Sequence, residues 1–465
     1  MFTIFQIKFC LFNLFSYSFY VQSELLNETI PGLGVLNQSQ KTAIRYAMGR
    51  QCSAIEAPPG TGKTTVASAL TYLLLKQGVR RILVCAPSNI AADNLTLSLM
   101  KTGAFASTFK LVRMYARYIE RDPERKPVSP TITRHALHHL VKGKQPGKRN
   151  NKKRIEDKTL QQAHVVCCTC ISSGDIRLKG KEFDAVIIDE CTQANDTEAL
   201  VPICRAKSMV VIFGDRKQLG PIVKNKKNRK SKFTLSFFER MVFNHGHAYL
   251  NVQYRMHPAI SEFPLATFYD NKVTNGVTAQ QRNIAEDKEC CIFPNSNLPI
   301  VFISSLQGAN ATRRDELGPN GISYVNDFEC TIIQEVLTNL FRLNISPKQI
   351  EIIAMYEEQR CHLNKYLQIP DLPSNASSKE TAKVEVRTVD GFQGRENDFV
   401  IISCVRSNKS NKIGFLSDQR RLNVALTRAR CGLIIIGDHS TLQSNALFNK
   451  LITYYKGKGT FIGKW

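Results

Sequence analysis

The clearest chemistry in the chain lies in Ala57-Pro58-Pro59-Gly60-Thr61-Gly62-Lys63-Thr64. This is the spacing G-x-x-x-x-G-K-[ST], with Ala57 standing where the first glycine usually falls. An apolar strand-like run, Ala54-Ile55, precedes it, and Ala67, Ala69, Leu70, Leu73 and Leu74 follow at helical spacing. That context marks a phosphate-cradling loop rather than a turn that happens to contain glycine. Backbone N–H groups of Gly60, Thr61, Gly62 and Lys63 are expected to point into the loop, with the positive end of the helix behind them. Lys63 adds a compact charge for the outer phosphates of ATP, and the Thr64 hydroxyl is a ligand for Mg²⁺. Alanine at position 57 suits this geometry only if that residue keeps an ordinary negative φ.

Further along, Val186-Ile187-Ile188 is an apolar strand ending in Asp189-Glu190. Strand C-termini form the ligand crevice of a doubly wound sheet. Asp189 is therefore expected to face the metal beside Thr64, and Glu190 to orient or deprotonate the attacking water. The strand Val210–Phe213 leads into Gly214-Asp215-Arg216-Lys217-Gln218, where Gln218 reads either as a γ-phosphate sensor or as an ordinary loop amide. Arg255, in Gln253-Tyr254-Arg255, and Arg428, in Thr427-Arg428-Ala429-Arg430, are candidates to stabilise charge on a transferring phosphoryl group. The competing reading of both is a surface or interdomain salt bridge. If they act on the phosphate, hydrolysis requires the two halves to close.

These residues need rigid elements to carry them. From Leu36 onward short β-branched runs alternate with helical stretches, which implies parallel sheets covered by helices. Strands are expected at 52–56, 81–86, 164–168, 184–189 and 209–214, then at 299–303, 350–354, 384–388, 399–404 and 431–437. The reading is α/β: two tandem doubly wound domains at 36–245 and 246–456, with a tail at 457–465; the family resemblance given below implies that they are RecA-like. A helical insertion at about 111–160 interrupts the first domain and ends in a basic stretch, Lys142 to Lys158. A second basic run, Lys224 to Lys232, is either a solvated loop or a polyanion contact. The second half has no phosphate loop of its own. Met1 to Val21 is apolar and resembles a secretory signal or short anchor, but Gln6, Lys8 and Asn13 interrupt it, so it makes a poor membrane span. Residues 1–35 are set aside as uninformative.

Composition points the same way. The chain holds 63 Lys and Arg against 39 Asp and Glu, a net charge of +24, which suits a polyanion, nucleic acid first. No long basic amphipathic helix argues for a membrane surface. The 14 cysteines fall mostly in apolar runs, as reduced intracellular thiols do. Cys167-Cys168-Thr169-Cys170 has no second pair at zinc spacing, so it reads as buried strand rather than metal site.

The ordered series of stretches resembles superfamily 1 helicases, and within them the up-frameshift, or regulator of nonsense transcripts, family. The likeness covers Leu36 to Tyr455 and runs through Leu36–Gln40, the phosphate loop, Leu83–Ala91, Cys167–Cys170, Asp189-Glu190 and Gly214–Pro221. It continues through Gln253–Pro258, Tyr356–Arg360, Val389–Glu396 and Arg421–Arg430. The resemblance implies that Gln40 recognises adenine, Tyr254 stacks on the base and Glu396 holds the ribose, while Gln218, Arg255 and Arg428 surround the γ-phosphate. It assigns Pro87, Ser88, Asn89, Thr169 and Thr388 to the nucleic-acid backbone, where small polar groups satisfy phosphate oxygens without reading bases. It further implies a cytoplasmic, monomeric ATP-dependent motor that moves 5′ to 3′ on single-stranded RNA or DNA in nonsense-mediated decay, with RNA-decay factors as partners. The family's Cys/His-rich zinc module would precede such a motor, and residues 1–35 show no zinc spacing.

Overall fold

The computed structural model describes residues 29–122, 130–142, 149–223, 225, 232–283, 292–295, 297–306, 315–319, 321–367 and 383–465. It divides into two compact units. One runs to Arg216 and again from Gly220 to Val252; the other comprises Lys217–Leu219 and Gln253–Trp465.

In the first unit β1 (Cys52–Glu56), β2 (Ile82–Ala86), β3 (Leu111–Arg113), β4 (Val165–Thr169), β5 (Phe183–Ile188), β6 (Ala206–Gly214) and β7 (Ala248–Tyr249) form one sheet in the order β3-β4-β2-β5-β6-β1-β7. All its pairings are parallel. The strands are apolar without alternation because both faces are covered. Ile82, Val84, Val165, Cys167, Ala185 and Ile187 enter one core with the helices Gln38–Met48, Lys63–Lys76 and Asn89–Lys101. Leu83, Cys85, Val166, Cys168, Val186 and Ile188 enter the other, against Ala199, Ile203, Phe238 and Met241. Burying such apolar side chains contributes on the order of 1.5–3 kcal/mol each, so the sheet is a rigid floor for the loops at its C-terminal edge.

Leu111–Arg113, read from sequence as the start of an insertion, is the buried edge strand of this sheet. Helices at Arg117–Arg121, Pro130–Thr133, Leu137–Lys142 and Arg149–Gln161 follow it, and Leu137, Val141 and Leu160 pack into the second core. Within the basic stretches, 143–148, 224 and 226–231 lie outside the described residues, as does the apolar segment Met1 to Val21.

β8 (Val252–Gln253) and β9 (Thr274–Asn275) make a short two-stranded sheet. The main sheet of the second unit joins β10 (Ile300–Ser304), β13 (Ile350–Ala354), β14 (Glu385–Thr388), β15 (Asn397–Ser403), β16 (Ala429–Gly437) and β17 (Phe461–Ile462) in the order β14-β13-β15-β16-β10-β17, again all parallel. A hairpin, β11 (Glu316–Leu317) and β12 (Tyr324–Val325), stands apart. Val301, Ile303, Ile352, Ile401 and Ile434 share a core with Ile333, Val336, Leu337 and Leu340 of the helix Asp327–Arg342. Trp465 packs against that core and its Nε1–H donates to Glu335 Oε2 at 2.5 Å.

Among the described residues no helix is long and apolar enough to cross a membrane. Their cysteines are all free, and most are buried, with Cys167, Cys168 and Cys170 in or next to β4. No group of three or more His, Cys, Asp or Glu among them is placed to hold a metal ion.

Candidate nucleotide site and nucleic-acid edge

The phosphate loop follows β1 directly. Gly60 and Gly62 take φ of +73° and +85°, values that L side chains rarely adopt, and a Cβ on Gly62 would lie 2.7 Å from Gln40 Nε2. Ala57 is absent from the residues with positive φ, so its methyl group, buried in the core, is accommodated without strain. Its N–H donates to Gly214 O at 2.9 Å, tying the loop's start to β6. Thr61 braces the turn through Oγ1 to Pro58 O at 2.7 Å. Gly62 begins the helix Lys63–Lys76 with no side-chain cap, the arrangement that leaves helix N–H groups to an anion.

Lys63 Nζ lies 2.6 Å from Glu190 Oε1 and 3.7 Å from Asp189 Oδ1. Thr64 Oγ1–H donates to Asp189 Oδ2 at 3.0 Å. Burial disfavours the ammonium, but Glu190 and Asp189 outweigh it and hold the Lys63 pKa above the ordinary lysine value. Burial acts against the Asp189 anion, and Lys63 opposes it. Glu190 sits at φ +53°, turning off the end of β5; Gln193 Nε2–H donates to its Oε2 at 3.2 Å. Gln40 spans helix and loop: Oε1 accepts from Asn37 N at 3.0 Å and Nε2–H donates to Thr61 O at 3.0 Å.

The remaining candidates divide between the units. Arg428 is buried and its guanidinium donates to Val424 O at 2.9 Å, Arg395 O at 3.3 Å, Thr427 Oγ1 at 3.2 Å and Gln218 Oε1 at 3.1 Å. The tripeptide carrying Gln218 thus belongs with Arg428 in the second unit. Arg255 donates from Nε to Glu396 Oε2 at 2.5 Å and from Nη1 to Thr427 O at 3.1 Å. Arg255 is the main cause of a lowered Glu396 pKa. The Tyr254 ring is 37% exposed, while its carbonyl is held by Arg282.

Ser88 and Thr388 cap helices: Ser88 Oγ accepts from Ala91 N and Thr388 Oγ1 from Gly391 N. Pro87, Ser88 and Thr169 follow or end neighbouring strands, since Ala86 and Thr169 are register partners; Thr388 pairs with Ala354 in the other sheet. Thr169 Oγ1 bonds Ser172 Oγ at 2.8 Å. Asn89 is committed elsewhere, because its Oδ1 accepts from Arg113 Nη2 at 3.0 Å.

Three networks escaped the sequence reading. Arg113, fully buried, ties β3 to Asp93 and Asn89 of the neighbouring helix; only the Asn89/Asp93 spacing of four hinted at it. Glu56, next to the phosphate loop, accepts from Arg216 Nε and Nη2 at 2.9 and 2.8 Å and meets His247 Nε2 at 3.0 Å. Burial pushes its pKa up, but those partners overcome this and bring it down to about 2. Glu329, on the core face of its helix, accepts from Ser403 Oγ at 2.6 Å and from Val405 N at 2.9 Å, and burial pushes its pKa up to about 8.

A glycine loop at the end of a parallel strand, a lysine and threonine opening the next helix, and an Asp-Glu pair two strands away define a phosphate-loop nucleotide site on a sheet of the RecA type. Two AAA domain models match the chain, one over 233–440 and one over 35–148 and 132–226. "ATP-dependent helicase NAM7" of Saccharomyces cerevisiae is 38% identical over 458 residues, covering 93% of this chain and 45% of that one. "Regulator of nonsense transcripts 1 homolog" of Neurospora crassa is 39% identical, covering 92% and 39%. "ATP-dependent helicase upf1" of Schizosaccharomyces pombe is 36% identical, covering 93% and 48%. The chain is thus similar to regulator of nonsense transcripts proteins over 92–93% of its length and spans less than half of the length of these curated relatives.

Proposed function

We propose that this chain is an ATP-dependent helicase motor of two RecA-like domains, acting 5′ to 3′ on single-stranded RNA, and also on DNA, in cytoplasmic RNA surveillance. The observation that carries it is the cluster of Lys63, Thr64, Asp189 and Glu190 beside an uncapped helix start. ATP fits this loop, whose backbone is shaped by two glycines at positive φ and by Lys63. Mg²⁺ fits as well, since Thr64 and Asp189 present hard oxygen donors side by side. A bound Mg²⁺ would neutralise charge on the outer phosphate oxygens. Lys63 grips those oxygens, and Glu190 orients the water and takes its proton. Arg428, Arg255 and Gln218 answer the charge that spreads over the transferring group. Tyr254 and Gln40 hold the base and Glu396 the ribose. Pro87, Ser88, Thr169 and Thr388 contact the strand, with Asn89 reaching it by its backbone. On this reading the domain boundary falls near residue 246, the motor works as a monomer, and RNA-decay factors are its partners.

ATPase of the purified chain with and without single-stranded RNA, together with strand separation on a tailed duplex, tests this. Stimulation with unwinding supports the helicase. Stimulation without strand separation makes the chain an ATP-driven clamp instead, and no stimulation removes the nucleic-acid partner.

A further inference from the structure

Near β13 and β14 the second unit carries a run of rings and guanidinium groups with no part in the nucleotide site. Tyr356 follows β13, packs its ring 4.2 Å from that of Phe415, and meets Tyr324 edge-on at 5.5 Å. Arg406 lies 3.9 Å over the Tyr324 ring, and Arg421 lies 5.3 Å from the Phe415 ring. Tyr356 is 3% exposed and serves as the packed base of the group, whereas Phe415 is 40% exposed. That exposure does not come from a slack loop. Tyr356 Oη–H donates to Ile413 O at 3.2 Å, and Asn408 both donates to Lys412 O and accepts from Lys412 N at 2.9 Å. Gly414 holds φ +61°, where a Cβ would come 2.9 Å from Tyr356 Oη, so the chain passes flat over the tyrosine and lifts the next ring outward.

The group is also continuous with the strand edge. Arg421 bonds Asp390 at 3.3 Å, and Asp390 lies in the short helix that Thr388 caps. We propose that Phe415, backed by Tyr356 and flanked by Tyr324, is a stacking platform for a base of the bound single strand; Arg406, held by Asp315 at 2.6 Å, and Arg421, held by Asp390 and Asp418 at 3.3 and 3.4 Å, brace the rings. The exposed aromatic face offers a surface to the base alone. Such stacking tolerates any sequence because every base has a π-face. The inference rests on the reading that the chain binds single strands.

The test uses the whole chain with Phe415→Trp in a Trp465→Phe background, which leaves one tryptophan. Oligouridylate and oligothymidylate should both quench it, and polyphosphate, which has no bases, should not. In the otherwise unaltered chain, Phe415→Ala should weaken both oligonucleotides about tenfold. The slope of affinity against salt should stay unchanged because no phosphate contact is lost, the melting midpoint should hold, and Phe415→Tyr should restore binding. Full affinity in Phe415→Ala, or equal loss for polyphosphate, overturns the platform while leaving the motor reading intact. Failure of the unaltered chain to bind either oligonucleotide takes both down.

Discussion

Each unit buries a cation at a strand or helix end, yet the two are held by opposite chemistry. Lys63 sits between two carboxylates, so its cluster carries a net negative charge and suits a divalent cation together with a triphosphate. The four acceptors of Arg428 described above are neutral oxygens, which fix the guanidinium in direction, and its charge is also felt by Glu396. A guanidinium held in a fixed direction favours negative charge that grows within its reach during a reaction. On the proposed reading the first unit grips a nucleotide and the second responds to what happens to it.

The largest effect expected from breaking this contrast is at Lys63. Lys63→Ala should lower ATP turnover about 10³-fold or more, read by phosphate release; undiminished turnover would mean the cluster is structural. Arg428→Ala should cost roughly 10²–10³ in turnover while ATP affinity stays within a few-fold. Equal loss of binding and turnover, with a lowered melting midpoint, would make the arginine a structural tie. The third prediction concerns stability. In the first unit Asp189 and Glu190 pair with Lys63 and Glu56 with Arg216, whereas burial raises Glu329 of the second from 4.5 to about 8. A raised folded pKa gives stability that is fully present below the unfolded value and lost as pH rises through the folded one. The unaltered chain should therefore lose roughly 3–5 kcal/mol between about pH 4.5 and 8 through this group. Glu329→Gln should lack that component. Urea unfolding of both at the two pH values checks it, and parallel profiles would refute the assignment.

The sheet and the nucleotide loop were legible because each speaks locally. Continuous apolar runs mark doubly covered strands, and glycine spacing marks the loop. Short edge strands were not legible: Leu111–Arg113 and Ala248–Tyr249 are too brief to show a period, and their identity comes from the neighbour they pair with. Buried ions were invisible for a related reason. Arg216 and Glu56 are 160 residues apart, and Glu329 looks in sequence like any acid on an amphipathic helix. The commitment of Asn89 to Arg113 likewise depends on a contact that crosses from a helix to a strand.

Trp465 gives the molecule a practical asymmetry. As the chain's sole indole, resting on the second core and bonded to Glu335, it makes selectively excited tryptophan emission a gauge of that half alone. Denaturation followed by emission and by circular dichroism would then coincide if both halves melt together. Two separated curves would instead reveal which half gives way first, with no label attached.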